Sequence, residues 1–227
     1  MVLLKEVFRM IEFWSPVWLS IKVAFVSGVI VVLFGTVIAK WMARRRFKGK
    51  MAIETLLMLP LVLPPSVVGF LLIVLFGKNS VIGKTIEALF HAPIMFTWYA
   101  AVIASSVVSF PLMYQSAKAG FEAVDEMVEG AARIDGANEY QVFWHISIPL
   151  AKKALISGAI LAFARSLGEF GATLMFAGNI PGKTQTIPTA IYVAIESGEM
   201  NLAWAWVVMT MILSFFLLLC ATSFKSN

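Results

Sequence analysis

Long uncharged stretches, separated by short charged ones, organise this chain. Residues 23–39, between Lys22 and Lys40, are 17 uncharged positions in a row. As a helix they cross most of a hydrocarbon core, with Trp18 and Trp41 placed for the two interfaces. Uncharged stretches recur at 55–77, 92–117 and 200–224, and another, 154–178, is interrupted only by Arg165 and Glu169. The pattern predicts five membrane-spanning helices. Residues 184–195 are apolar but too short to cross, and Pro188 predicts a bent, partly inserted, re-entrant helix leading into the last span. The fold class is therefore an all-α membrane protein.

Composition sharpens this picture. Of 227 residues, 60% are apolar and 14% charged, against about 45–50% and about 25% in average soluble domains. With a mean hydropathy of +0.87, the chain is neither disordered nor a soluble globule, and the spans leave room for no sizeable water-soluble domain. Neither a repeat of 20 to 50 residues nor a low-complexity tract is visible, so residues 1–227 read as one transmembrane domain. The single cysteine, Cys220, lies in the terminal apolar run and reads as packing, since one thiol builds neither a disulfide framework nor a clustered metal site. No metal or other cofactor is expected.

Charge sets the orientation. Lys40, Arg44, Arg45, Arg46, Lys48 and Lys50 stand together with no acid among them, which marks their loop as cytoplasmic. Alternating sides from there places 11 basic residues inside and five outside (Lys5, Arg9, Lys78, Lys84 and Lys183). The N-terminus is then outside and the C-terminus cytoplasmic. The first apolar run begins late and is followed by basic residues, so it is expected to stay as an anchor and not to be cleaved. Because the basic residues lie beside apolar runs, the net charge of +5 reflects this asymmetry and implies no nucleic acid. The exception to the short-loop rule is residues 118–153, 36 residues with six acids, the segment best suited to meet a soluble partner.

Candidate chemistry is sparse. Residues 77–85, GKNSVIGKT, resemble a phosphate-binding loop, but five residues separate the glycines where four are needed, and no strand precedes them. An ordinary polar turn is expected there. His91 and His145 fall on opposite sides, and no hydrolase or metal motif appears. In the second span Pro60, Pro64, Pro65 and Gly69 interrupt the helix, and such backbone is tolerated only inside protein or against a wet cavity. The kink either lines a pathway or serves packing. Arg165 and Glu169, four apart, form either a structural ion pair or part of a permeation path. Gly168, Gly171, Ala172 and Thr173 beside them suit helix contact or a narrow polar pore.

In the long loop, Glu129-Gly130-Ala131-Ala132 leads to Gly136-Ala137, then to Asn138 and Gln141, then to Tyr140, Phe143, Trp144 and Pro149. The order predicts helix, tight turn, helix, with Asn138 and Gln141 as a capping-box variant and Pro149 disfavouring the helical conformation at Ile148. The second, aromatic-bearing helix either docks into a partner's groove or lies at the interface.

Residues 131–149, AARIDGANEYQVFWHISIP, resemble the signature loop of ABC-importer permeases, where Ala-Ala precedes a glycine followed ten residues later by Ile-x-Leu-Pro. Here Gly136 and Ile146 keep that step and Ile148 replaces Leu. The family's glutamate before Ala-Ala is displaced, with Gly130 in its place and Glu129 one step earlier. Residues 59–72, 107–118, 162–173 and 179–192 are similar to molybdate-importer permeases; sulfate permeases share Leu167-Gly-Glu-Phe-Gly171 but not the whole of residues 179–188. The region up to Arg46 matches weakly.

The resemblance implies the importer-permease (MetI-like) fold and a homodimer working by alternating access. It implies cytoplasmic ABC ATPase subunits contacted through a coupling helix within residues 129–146, and an extracytoplasmic oxyanion-binding protein that delivers the substrate. Ala131, Ala132, Gly136, Ala137, Tyr140 and Phe143 are the expected coupling residues. Pro64, Ser66, Arg165, Ser166, Glu169 and Thr173 are expected near the translocation path. Molybdate is the expected cargo, with tungstate or sulfate as alternatives and an ion-coupled carrier or channel as the different class. No enzyme activity is expected of the chain itself, the ATP chemistry belonging to a partner.

Overall fold

A computed structural model describes the backbone of residues 2–226 and the side chains of residues 13–219. The side chains of Lys5, Arg9, Cys220 and Lys225 lie outside the described set. The helices, in order, are α1 (Val2–Arg44), α2 (Lys50–Val62), α3 (Pro65–Phe76), α4 (Val81–Phe90), α5 (Trp98–Glu122), α6 (Glu126–Ile134), α7 (Glu139–Val142), α8 (Ile148–Leu167), α9 (Gly171–Ala177), α10 (Ile187–Glu196) and α11 (Met200–Ser226). Among the described residues, four helical stretches are long and apolar enough to cross a membrane. A fifth crossing results if α2 and α3 are taken as one broken span.

The centre of the bundle is α5, packed between α1 and α8. Lipid offers no hydrophobic drive for helices to associate, so close contact of small residues carries the packing. At Gly120 an added Cβ would stand 2.6 Å from Ala154 Cβ, and at Gly158 it would stand 2.8 Å from Ser116 Cβ. Around this axis Met42, Met113, Tyr114 and Phe121 fill one end of the core, and Val68, Leu72, Ala172 and Phe176 the other. A smaller cluster of Val17, Ile187, Ala190 and Trp206 joins α1 to α10 and α11.

Four features depart from the expected pattern. The second span is not a kinked helix but two helices bent by 118°. Leu63 and Pro64 each precede a proline and are both driven out of the helical region, to ψ 140° and 137°. The predicted span 154–178 is not one helix: the crossing helix ends at Leu167, and a break at Gly168 to Phe170 follows, where Glu169 Oε1 accepts the Ala172 amide at 2.8 Å and starts α9. Pro188 does not bend the short helix but sits in the first turn of α10, where a missing amide hydrogen is harmless.

Pro149, finally, does not interrupt the chain: residues 139–167 run as one helix through a π-turn at Phe143–Ser147. There the Ile148 amide reaches back to the Phe143 carbonyl, one residue further than in an α-helix. The widened turn accommodates the proline ring without breaking the helix. The uncharged stretch beginning at residue 92 becomes helical only at Trp98, after Thr97 caps the Ala100 amide.

Candidate functional site

The long loop folds into the expected helix, turn, helix. Asp125 caps α6 by accepting the Met127 amide at 2.8 Å. The turn closes with the Ala137 amide on the Ala132 carbonyl at 2.9 Å, and Gly136 stands at φ +94°. This is a Schellman-type ending in which the left-handed position falls to glycine. Asn138 then opens α7 with a full capping box: its Oδ1 accepts the Gln141 amide at 2.9 Å, and Gln141 Oε1 accepts the Asn138 amide at 2.8 Å. Asn138→Ala is expected to cost this cap about 1 kcal/mol. Hydrogen exchange at the first amides of α7 should then quicken about fivefold, and unchanged exchange would remove the cap from the account.

Arg133 ties the two arms together, with its Nε 2.6 Å from Glu139 Oε1. The guanidinium holds the Glu139 carboxyl below the usual carboxylate range. Of the expected coupling residues, Ala131, Gly136 and Tyr140 are exposed, while Ala132, Ala137 and Phe143 are half-buried. Phe143 turns inward, its ring centroid 6.3 Å from that of Phe121. The exposed apolar face is carried by Tyr140 at 70% and by Ile134 at 87%, joined by Met127. Ile134 and Met127 are absent from the residues expected from the sequence.

The other candidate residues collect where the α2–α3 break meets the α8–α9 break. Gly171, opening α9, lies so close to α3 that an added Cβ would stand 2.9 Å from Pro65 Cβ. Gly69 makes the reciprocal approach, 2.6 Å from Met175 Cβ. Arg165 Nη1 is 2.7 Å from Glu169 Oε2, the arginine side chain 31% exposed and the glutamate 1%. Ser166 is buried and shares a hydrogen bond of 2.5 Å with Ser27 of α1. Thr173 is fully buried with no hydrogen-bond partner for its hydroxyl, whereas Pro64 and Ser66 are exposed. The break thus brings a paired cation, two hydroxyls and two helix starts into one region.

Residues 77–85 form a turn and the start of α4. Ser80 Oγ accepts the Gly83 amide at 2.8 Å, the ordinary use of a serine before a helix. Lys78 and Lys183 help line a cavity of about 850 Å³ beside this turn. His91 ends α4 in a left-handed conformation and His145 lies in the π-turn. Among the described residues no cluster of three metal-binding side chains occurs.

The described residues thus form a helical bundle with one broken span, a further break between α8 and α9, and an exposed helix–turn–helix. Residues 20–225 match the family described as the binding-protein-dependent transport system inner membrane component, and the chain belongs to that family.

The chain is similar to YvgM of Bacillus subtilis (strain 168), a permease protein provisionally assigned to molybdenum transport, with 60% identity over 96% of each chain. It is 44% identical to the molybdenum transport system permease protein ModB of Escherichia coli (strain K12), over 88% of this chain and 89% of that one. Solved structures share the fold. The methionine ABC transporter MetNI in an inward-facing form superposes with a TM-score of 0.69 at 14% identity, covering 96% of both chains. A bacterial alginate ABC transporter, solved in complex with a pentasaccharide-bound periplasmic protein, gives 0.73 at 16% identity, over 92% of this chain and 77% of that one.

Proposed function

We propose that this chain is the membrane-spanning subunit of an ATP-driven importer for molybdate. The observation that carries the reading is the match along nearly the whole chain to molybdenum permeases. Two copies would form the pathway. Each would dock an ABC ATPase through the face around Gly136 and Tyr140, and receive the anion from an extracytoplasmic binding protein. ATP hydrolysis belongs to the partner.

In this reading the basic cluster from Lys40 to Lys50 and the coupling loop face the cytoplasm, with the N-terminus outside. The anion passes near Pro64, Ser66, Arg165, Ser166, Glu169 and Thr173. Support comes from the way the broken α2–α3 span packs against the α8–α9 break, since irregular backbone at membrane depth belongs where it is enclosed by protein or lines a water-filled path. Alternating access then amounts to a shift between two packings of these half-helices, driven by the ATPase through the loop.

The test is cellular molybdenum and tungsten content in a strain lacking the gene, at nanomolar supply, with and without excess sulfate. Molybdenum is expected to fall and to be restored by the gene, and sulfate should not mimic the loss. A selective fall in tungsten would move the assignment to tungstate. Uptake that persists without any ATPase would replace an importer with a carrier or channel.

A further inference from the structure

Glu129 belongs to the loop that meets solvent, yet it is 1% exposed and turned toward the membrane bundle. Three elements converge on its carboxylate. From α1, Lys40 Nζ donates to Oε1 at 2.6 Å and Arg44 Nη1 to Oε2 at 3.0 Å. From the π-turn, Ser147 Oγ donates to Oε1 at 2.7 Å while itself accepting from Lys40 at 2.9 Å. One turn along α6, Arg133 Nη2 lies 3.5 Å from Oε2 and extends the chain of charges to Glu139.

Burial alone would push the Glu129 carboxyl up. The hydrogen bonds from Lys40 and Ser147, with the charges of Lys40 and Arg44, overcome it and hold the group below its usual range. Removing the carboxylate would leave two cations without their shared partner, whereas removing Lys40 leaves Arg44 paired with it.

Lys40 and Arg44 reach the same carboxylate because they stand four apart on α1. Elsewhere α1 makes further polar joints. Ser27 meets Ser166 beside the α8–α9 break, Ser20 Oγ accepts the first amide of α10 (Ile187) at 2.8 Å, and the Phe13 carbonyl accepts Trp206 Nε1 of α11 at 3.0 Å. A single helix therefore touches the loop at one end, the broken span in its middle and α10 and α11 near its other end.

We propose that Glu129 is a positioning residue that latches the coupling helices to α1, so that α1 carries a displacement of the loop to the α8–α9 break and to α10. The inference rests on the importer reading. It differs from a docking role, in which the carboxylate would face the ATPase and be exposed.

The experiment uses the whole complex, permease with its ATPase in liposomes and molybdate-loaded binding protein outside, with uptake and ATP hydrolysis measured side by side. In assembled Glu129→Gln, molybdate carried per ATP is expected to fall about tenfold, because hydrolysis suffers less than transport. Glu129→Asp, which keeps the charge, should recover most of the ratio. If Glu129→Gln does not assemble, Lys40→Gln carries the test, since Arg44 still pairs the carboxylate, and the same fall is expected. An unchanged ratio, or uptake and hydrolysis declining in proportion, would reduce the cluster to a fold contact and overturn the latch alone. Failure of the wild-type complex to show ATP-dependent uptake would instead overturn the importer reading together with the latch.

Discussion

Gly136→Val is expected to lower ATP-dependent anion uptake by about 10- to 100-fold while membrane insertion stays at the wild-type level. The residue lies at φ +94° in the turn between α6 and α7, and an added Cβ would meet nothing within 4 Å. The penalty is therefore torsional and not steric. A left-handed conformation costs a non-glycine residue of order 1–3 kcal/mol, and a β-branched one the most, which by population alone disfavours the turn by about 5- to 150-fold. The penalty falls where Ile134 and Tyr140 are presented, while the spans are untouched, so insertion and transport separate. Asparagine, which tolerates this region better, should retain a substantial fraction of uptake. Uptake assays paired with quantitation of membrane-inserted protein check the point, and normal transport by the valine variant would sink the assignment of this turn to coupling.

The second large effect is expected at the α8–α9 break. Glu169→Leu leaves the Arg165 guanidinium without the carboxylate 2.7 Å away and the Ala172 amide without its acceptor. Breaking a buried pair from one side typically costs about 3–5 kcal/mol. Arg165 keeps some access to solvent, so about 2–3 kcal/mol is expected here after discounting for hydration. For a chain of this size that corresponds to a fall in melting temperature of about 5–10 °C, measurable in detergent. Glu169→Gln can still accept the Ala172 amide and should lose less. A leucine variant that melts with the wild type would show that the pair contributes nothing to holding the break.

How much of this was readable beforehand depended on whether the signal was local. The apolar runs announced their helices because membrane spanning imposes length and hydropathy on the residues themselves. The turn between α6 and α7 was legible for the same reason, since Gly136, Asn138 and Gln141 carry its geometry within a few positions. Pro149 and Pro188 read as breakers in the sequence because proline at the start of a helix, or beside a π-turn, is indistinguishable from one until the helix start is known. The break at Pro64 and Pro65 is local, but the 118° between its two arms is carried by no single residue. Glu129 left the weakest trace. Its partners Lys40 and Arg44 lie 89 and 85 positions away and had already been accounted for by orientation, so nothing local marked the carboxylate as buried.

The π-turn at Phe143–Ser147 also sets an angle. A π-turn is an α-helix with one residue too many, and one residue rotates a helix by about 100° and lengthens it by about 1.5 Å. Its presence fixes the azimuth of Tyr140 about the axis of α8, so the exposed face of the loop has a phase relative to the bundle that no regular helix through these residues would give. Forcing the same residues into a regular helix would swing that face by about 100°, whereas deleting one residue from the turn would restore an α-helix and leave the face where it is. The loop's surface and the loop's bearing are thus specified by different residues.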